Sequence, residues 1–245
     1  YNNQNTISIH SRIVDTATAI GSGTGTVSLV KTGPSTLQIS APNTYTGGTI
    51  VSQGTLRLIG GSGVVTVPLA ADPANGVIIN GGTLSLDVNG GQIAPGNTVV
   101  INGPGILNLA GTGNTLAGIV FNNTGGGNTN PTVNTTGGGS VVGGGAAFGG
   151  TLTLNGGVTV TSSNPGSIAT IAGRVDLGAS SRTFNVAQTI WNGQNVSALQ
   201  PALNITAAML GTSGLTKTGA GVLGFQAQHP YTGVTQVNNG TLAIT

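Results

Sequence analysis

The chain has 245 residues, a formal net charge of +2, 45 glycines, 4% charged and 3% aromatic residues, and no cysteine. This excludes a disulfide framework or thiolate metal site, and, because the glycines follow no three-residue period, a collagen triple helix. It also argues against nucleic acid as a partner, because the six basic residues (Arg12, Lys31, Arg57, Arg174, Arg182 and Lys217) are scattered and form no basic stripe. What remains is a thin, repetitive core of Val, Ile, Leu and Thr. Residues 1–5 are polar and no long apolar run follows, so neither a signal peptide nor membrane insertion by this segment is expected. The chain is expected to be a mature part or an excerpt of a longer polypeptide. Ile7-Ser8-Ile9 and Ile13-Val14 open the first strands, and Gly21-Ser22-Gly23-Thr24-Gly25 is a turn cluster.

Residues 29–58 are repeated without a gap at 215–244. Lys31-Thr32-Gly33 returns as Lys217-Thr218-Gly219, Tyr45-Thr46-Gly47 as Tyr231-Thr232-Gly233, and Gly54-Thr55-Leu56 as Gly240-Thr241-Leu242. Between the triplets apolar residues alternate, Leu37 and Ile39 in one copy and Leu223 and Phe225 in the other, the period of a strand with one buried face. Each triplet carries a glycine that suits a tight turn. The unit therefore reads as strand, turn, strand, turn, strand. Its structural residues are the triplet positions Lys31, Gly33, Tyr45, Gly47 and Gly54, and Lys217, Gly219, Tyr231, Gly233 and Gly240.

The stretch KTGPSTLQISAPNTYTGGTIVSQGTLRL, Lys31 to Leu58, resembles the autotransporter-associated β-strand repeat of type V secreted bacterial surface proteins. The second copy is similar and departs at Phe225, His229 and Val234. The resemblance covers roughly a quarter of the chain. It implies a right-handed parallel β-helix exported to the cell surface, and it brings no catalytic residues with it.

Beyond the first copy, Val67-Pro68-Leu69 and Asp72-Pro73 predict a loop or bulged coil, since proline cannot sustain a central ladder. Turns resume at Gly82-Thr83-Leu84, Gly105-Ile106-Leu107 and Gly150-Thr151-Leu152, which suggests a coil of ~22 residues. About eleven such coils at ~4.8 Å each would make a rod ~50 Å long. Strands at Val99-Val100-Ile101, Ile106-Leu107, Ile119-Val120-Phe121, Leu152-Thr153-Leu154, Val158-Thr159-Val160 and Ile168 to Ile171 are placed on successive rungs. Residues 122–150 are glycine-rich and of low complexity, and are read as a coil with flexible corners that adds strands at Val141-Val142 and Ala146-Ala147-Phe148. The whole is one all-β solenoid domain, 1–245, without significant helix.

Catalysis is weighed on the acids and histidines. There is no Glu, and Asp87 and Asp176 fall about four rungs apart, too far for an acid–base pair. His10 and His229 lack a nucleophile elbow, and His229 is expected to be exposed at a turn. Gly81-Gly82-Thr83-Leu84-Ser85-Leu86-Asp87 is a poor, single match to a calcium nonapeptide, so no metal and no cofactor is expected. Trp191 is expected to cap the thin core. The reading is a non-enzymatic extracellular or cell-surface protein, a stalk, adhesin segment or fibre subunit. Its expected partners are copies of itself stacked end to end, or a host or matrix surface. The alternative is a polysaccharide-binding or polysaccharide-cleaving β-helix.

Overall fold

The computed structural model describes residues 6–16, 25–124, 130–136, 149–197 and 200–245. Its regular elements are short strands, broken by a 3₁₀ turn at Pro73–Asn75. The strands are short because a glycine or a polar corner residue follows every three to five alternating residues. The chain therefore turns before a long ribbon can form.

Strands return to the same sheets in succession. The first sheet runs in chain order from Ile7–Ile9 through Thr36–Ile39, Thr55–Leu58, Thr83–Leu86 and Ile106–Asn108 to Thr241–Ile244. The second runs from Leu29–Lys31 through Thr49–Val51, Val77–Ile79, Thr98–Asn102, Gly118–Asn123, Val158–Ser162 and Arg182–Trp191 to Leu215–Thr218 and Thr235–Val237. A smaller third sheet holds Asn114–Leu116, Leu152–Leu154, Arg174–Asp176 and Ala208–Leu210. Within each of these paths every pairing is parallel. A chain that visits the same sheets once per turn, always in one direction, is a parallel β-helix.

The core is built by register. Leu56, Leu84, Leu107, Val133, Ile171 and Ile205 stand over one another on the inner face of the first sheet, each fully buried. Each such side chain contributes roughly 1.5–3 kcal/mol of burial. Because side chains alternate faces, the same strands turn their intervening residues outward.

The first sheet has ten rungs among the described residues, against about eleven coils expected. The coils are not of constant length. Leu37 pairs with Leu56, 19 residues on, whereas Val133 pairs with Ile171, 38 residues on. The ladder register is the same across both intervals. The glycine spacing misleads for a related reason: Gly105 precedes a first-sheet strand while Gly150 precedes Leu152–Leu154 of the third sheet. Likewise Val99–Ile101 and Ile106–Leu107 belong to one coil on two sheets, not to successive rungs. In the glycine-rich segment, Gly118–Asn123 and Thr132–Asn134 supply strands to a coil. The strands expected at Val141-Val142 and Ala146 to Phe148 lie outside the described residues.

Candidate functional site

The two repeat copies are superimposable in role. Each holds four strands where the sequence pattern gives three. In the first copy these are Leu29–Lys31, Thr36–Ile39, Thr49–Val51 and Thr55–Leu58, two for each of the two long sheets. The second copy supplies Leu215–Thr218, Val222–Phe225, Thr235–Val237 and Thr241–Ile244 in the same order. The extra strand ends at the lysine of the KTG triplet, a polar residue that pattern reading assigns to a turn.

Lys31 and Lys217 point into the rod. Lys217 is fully buried and Lys31 nearly so. The Lys31 ammonium donates to the carbonyls of Thr32, Gly33 and Gln53 at 2.9, 2.7 and 2.9 Å. Lys217 donates to those of Thr218, Gly219 and Asn239 at 2.7, 2.6 and 3.0 Å. Two acceptors belong to the lysine's own corner and the third to the corner of the next coil. The three ammonium donors therefore staple one coil to the following one. Burial disfavours the charged form, lowering the pKa of Lys31 and taking that of Lys217 down to about 8.

The glycines explain why the staple needs its triplets. Gly33 and Gly219 each give the lysine a carbonyl. Gly54 and Gly240 have φ of +66° and +74°, and a Cβ there would sit 2.8 Å from the lysine nitrogen and 2.4 Å from the carbonyls of Gly33 and Gly219 respectively. Gly47 donates its N–H to the Val27 carbonyl at 2.9 Å, and Gly233 lies against the Ser213–Gly214 backbone. Tyr45 is buried and shares a 2.6 Å hydrogen bond with Thr49; burial pushes its phenol up to about 12. Tyr231 makes the matching bond to Thr235.

The acids serve local structure. Asp15 accepts from the Thr46 hydroxyl and from the N–H groups of Val27 and Thr46, which hold its carboxyl below the usual range. Asp72 caps the 3₁₀ turn through Ala74, Asp87 takes Arg57 and Ser85, and Asp176 takes the Gly178 N–H at 2.7 Å. Asp87 follows the fourth rung of the first sheet, and Asp176 lies on the third sheet beside the seventh. The separation is three rungs instead of four, still ~14 Å along the axis. Among the described residues no cluster of three or more His, Asp or Glu could hold a metal.

Two aromatic-neighbourhood expectations are corrected. His229 is half-buried, not turn-exposed: its ring packs on Phe225 with centroids 4.2 Å apart, and burial lowers its pKa. These are two of the positions where the second copy departs from the first, so the pair is a matched change. Trp191 caps no core. It is 45% exposed, at the end of Arg182–Trp191, where Asn192 and Gly193, φ +48° and +76°, turn the chain into the antiparallel strand Gln194–Asn195. An Asn-Gly pair with two positive φ values is a hairpin turn, and that dipeptide was the sequence signal.

Residues 29–58 and 215–244 each match the family model described as Passenger-associated-transport-repeat. The chain carries this repeat twice. Each matched repeat contributes one buried lysine and four strands to the described rod. The chain is also 28% identical over 257 aligned positions to "Adhesin BmaC autotransporter" of Brucella suis biovar 1 (strain 1330). That alignment covers 95% of this chain and 7% of the relative, so the chain spans a small fraction of that relative's length. No solved structure matches.

Proposed function

We propose that the chain is a rod segment of a secreted, surface-exposed autotransporter passenger that acts as a stalk within an adhesin. The observation that carries this reading is the pair of transport repeats within one parallel β-helix, each stapled by its own lysine. The likeness to an autotransporter adhesin along nearly the whole chain supports it. So does the use of every aspartate in local structure, which favours a mechanical role over a catalytic one. The rod holds a binding surface away from the cell, and its rungs, each paired only with neighbours, supply stiffness. Copies of the rod, or a host or matrix surface, are its partners. Self-association is end to end, because parallel ladders extend along the rod axis.

The test places the segment between a signal peptide and a translocating β-barrel in a Gram-negative host. Protease added to intact cells should cleave the segment, and the cells should adhere to epithelial monolayers several-fold better than cells bearing the barrel alone. Retention inside the cell would sink the passenger reading. Display with unchanged adherence would sink the adhesive one.

A further inference from the structure

The outer face of the second sheet is patterned over several rungs. Register places Val30, Ile50, Ile78, Val100 and Val120 in one outward column, each between two inward-facing neighbours. Val30 is 53% exposed, Ile50, Ile78 and Val120 are partly so, and Val100 between them is buried. Two residues along each strand lies a second column of a different kind. Asn102 donates its amide to Asn80 at 2.7 Å, Asn122 to Asn102 at 2.6 Å, and the Thr161 hydroxyl to Asn122 at 2.7 Å. On the other side of the aliphatic column lie Gly48, Gly76, Thr98, Gly118 and Gly157, of which Gly48, Gly76 and Gly118 are buried, Gly76 beneath the Asn97 side chain. The amide ladder has a sequence signature, three apolar residues followed by Asn, in Val77 to Asn80, Val99 to Asn102 and Ile119 to Asn122.

The ladder runs on to the hairpin. Val160 pairs with Val186 but Ser162 with Thr189, so a bulge sets Ala187 and Gln188 opposite Thr161. Gln188 is exposed and accepts from the Asn195 amide at 3.1 Å, across the hairpin that carries Trp191. Polar uncharged side chains, Asn80, Asn102, Asn122, Thr161 and then Gln188, thus lead to the foot of an exposed indole. None of the side chains in these two columns or in the hairpin is charged.

We propose that this face, from Val30 to the Trp191 hairpin, binds a neutral linear polysaccharide lying along the rod axis. The aliphatic column and the indole take the C–H faces of the sugar rings. The amides take hydroxyls, since Asn102 and Asn122 each spend one of their two N–H donors on the ladder and Asn80 spends none. The lack of charge selects against an anionic ligand. The strip is ~30 Å long and ~7 Å across its two side-chain columns, or roughly 200 Å², a quarter of the ~800 Å² per partner typical of a stable protein interface. An extended peptide would need a free sheet edge for main-chain pairing, whereas these strands are paired on both sides and offer side chains alone.

Trp191 is the only tryptophan, so its emission reports on this face. The full chain is titrated with cellohexaose, maltohexaose and, as the anionic comparison, oligogalacturonate. A saturable emission change is expected with at least one neutral hexasaccharide, at a Kd of roughly 0.1–1 mM. By calorimetry, Trp191→Ala should weaken binding at least tenfold and Asn122→Ala several-fold, with thermal melting of the exposed Trp191→Ala variant unchanged. No saturable change up to about 10 mM, binding of the anionic oligomer alone, or binding indifferent to both substitutions would each overturn the proposal.

Discussion

At the scale of single residues, the buried lysine shapes the repeat. Lys217 is held by three carbonyls and no carboxylate. Lys217→Met keeps the aliphatic stem and leaves those carbonyls without their donors, at a cost of about 2 kcal/mol near neutral pH. Its pH dependence follows from the direction of the shift. The folded pKa, about 8, lies below the ordinary value of 10.5, so between these values the unfolded chain holds a proton that the folded chain has released. Unfolding takes up that proton, and stability rises with pH through this window. Urea unfolding from pH 7.5 to 10 should show wild type gaining on Lys217→Met as pH rises. A gap that narrows would show that the carbonyl cage, not burial, governs the titration.

At the scale of elements, register matters more than coil length. Coils of 19 and 38 residues share one aliphatic ladder, so corners tolerate added chain and strands do not. Two residues inserted in the excursion before Pro73 should shift Tm by under about 3 °C. One residue inserted between Leu84 and Ser85 reverses the face of Leu86 and should cost about 3 kcal/mol, or roughly 5–10 °C. Scanning calorimetry decides, and equal losses would refute the register argument. The same distinction explains what could be read beforehand. Alternation at Leu37 and Ile39, and the glycine triplets, expose strands and turns because those are local steric properties. Which sheet a strand joins is not local, so Gly150 was grouped with Gly105. The inward lysine was hidden because a polar residue beside glycine reads as a corner unless its acceptors are visible. Trp191 is exposed because its Asn-Gly hairpin, a local signal, outweighs the general tendency of a large aromatic to cap a thin core.

For the whole molecule, strand pairing runs along the rod, each inner rung held between two parallel neighbours. The end-to-end stacking of copies proposed above predicts concentration-dependent association of the purified chain. Sedimentation velocity up to about 100 μM should show oligomers, given micromolar contacts. A lone monomer across that range would refute end-to-end stacking.

The lysine staples carry one more consequence. An ion pair is undone by acid, which discharges the carboxylate, and weakened by salt, which screens it. A cation held by backbone dipoles inside the rod has no carboxylate partner to lose to acid and little field for dissolved ions to reach. The corners of this helix therefore keep their grip when the surroundings turn acidic or saline.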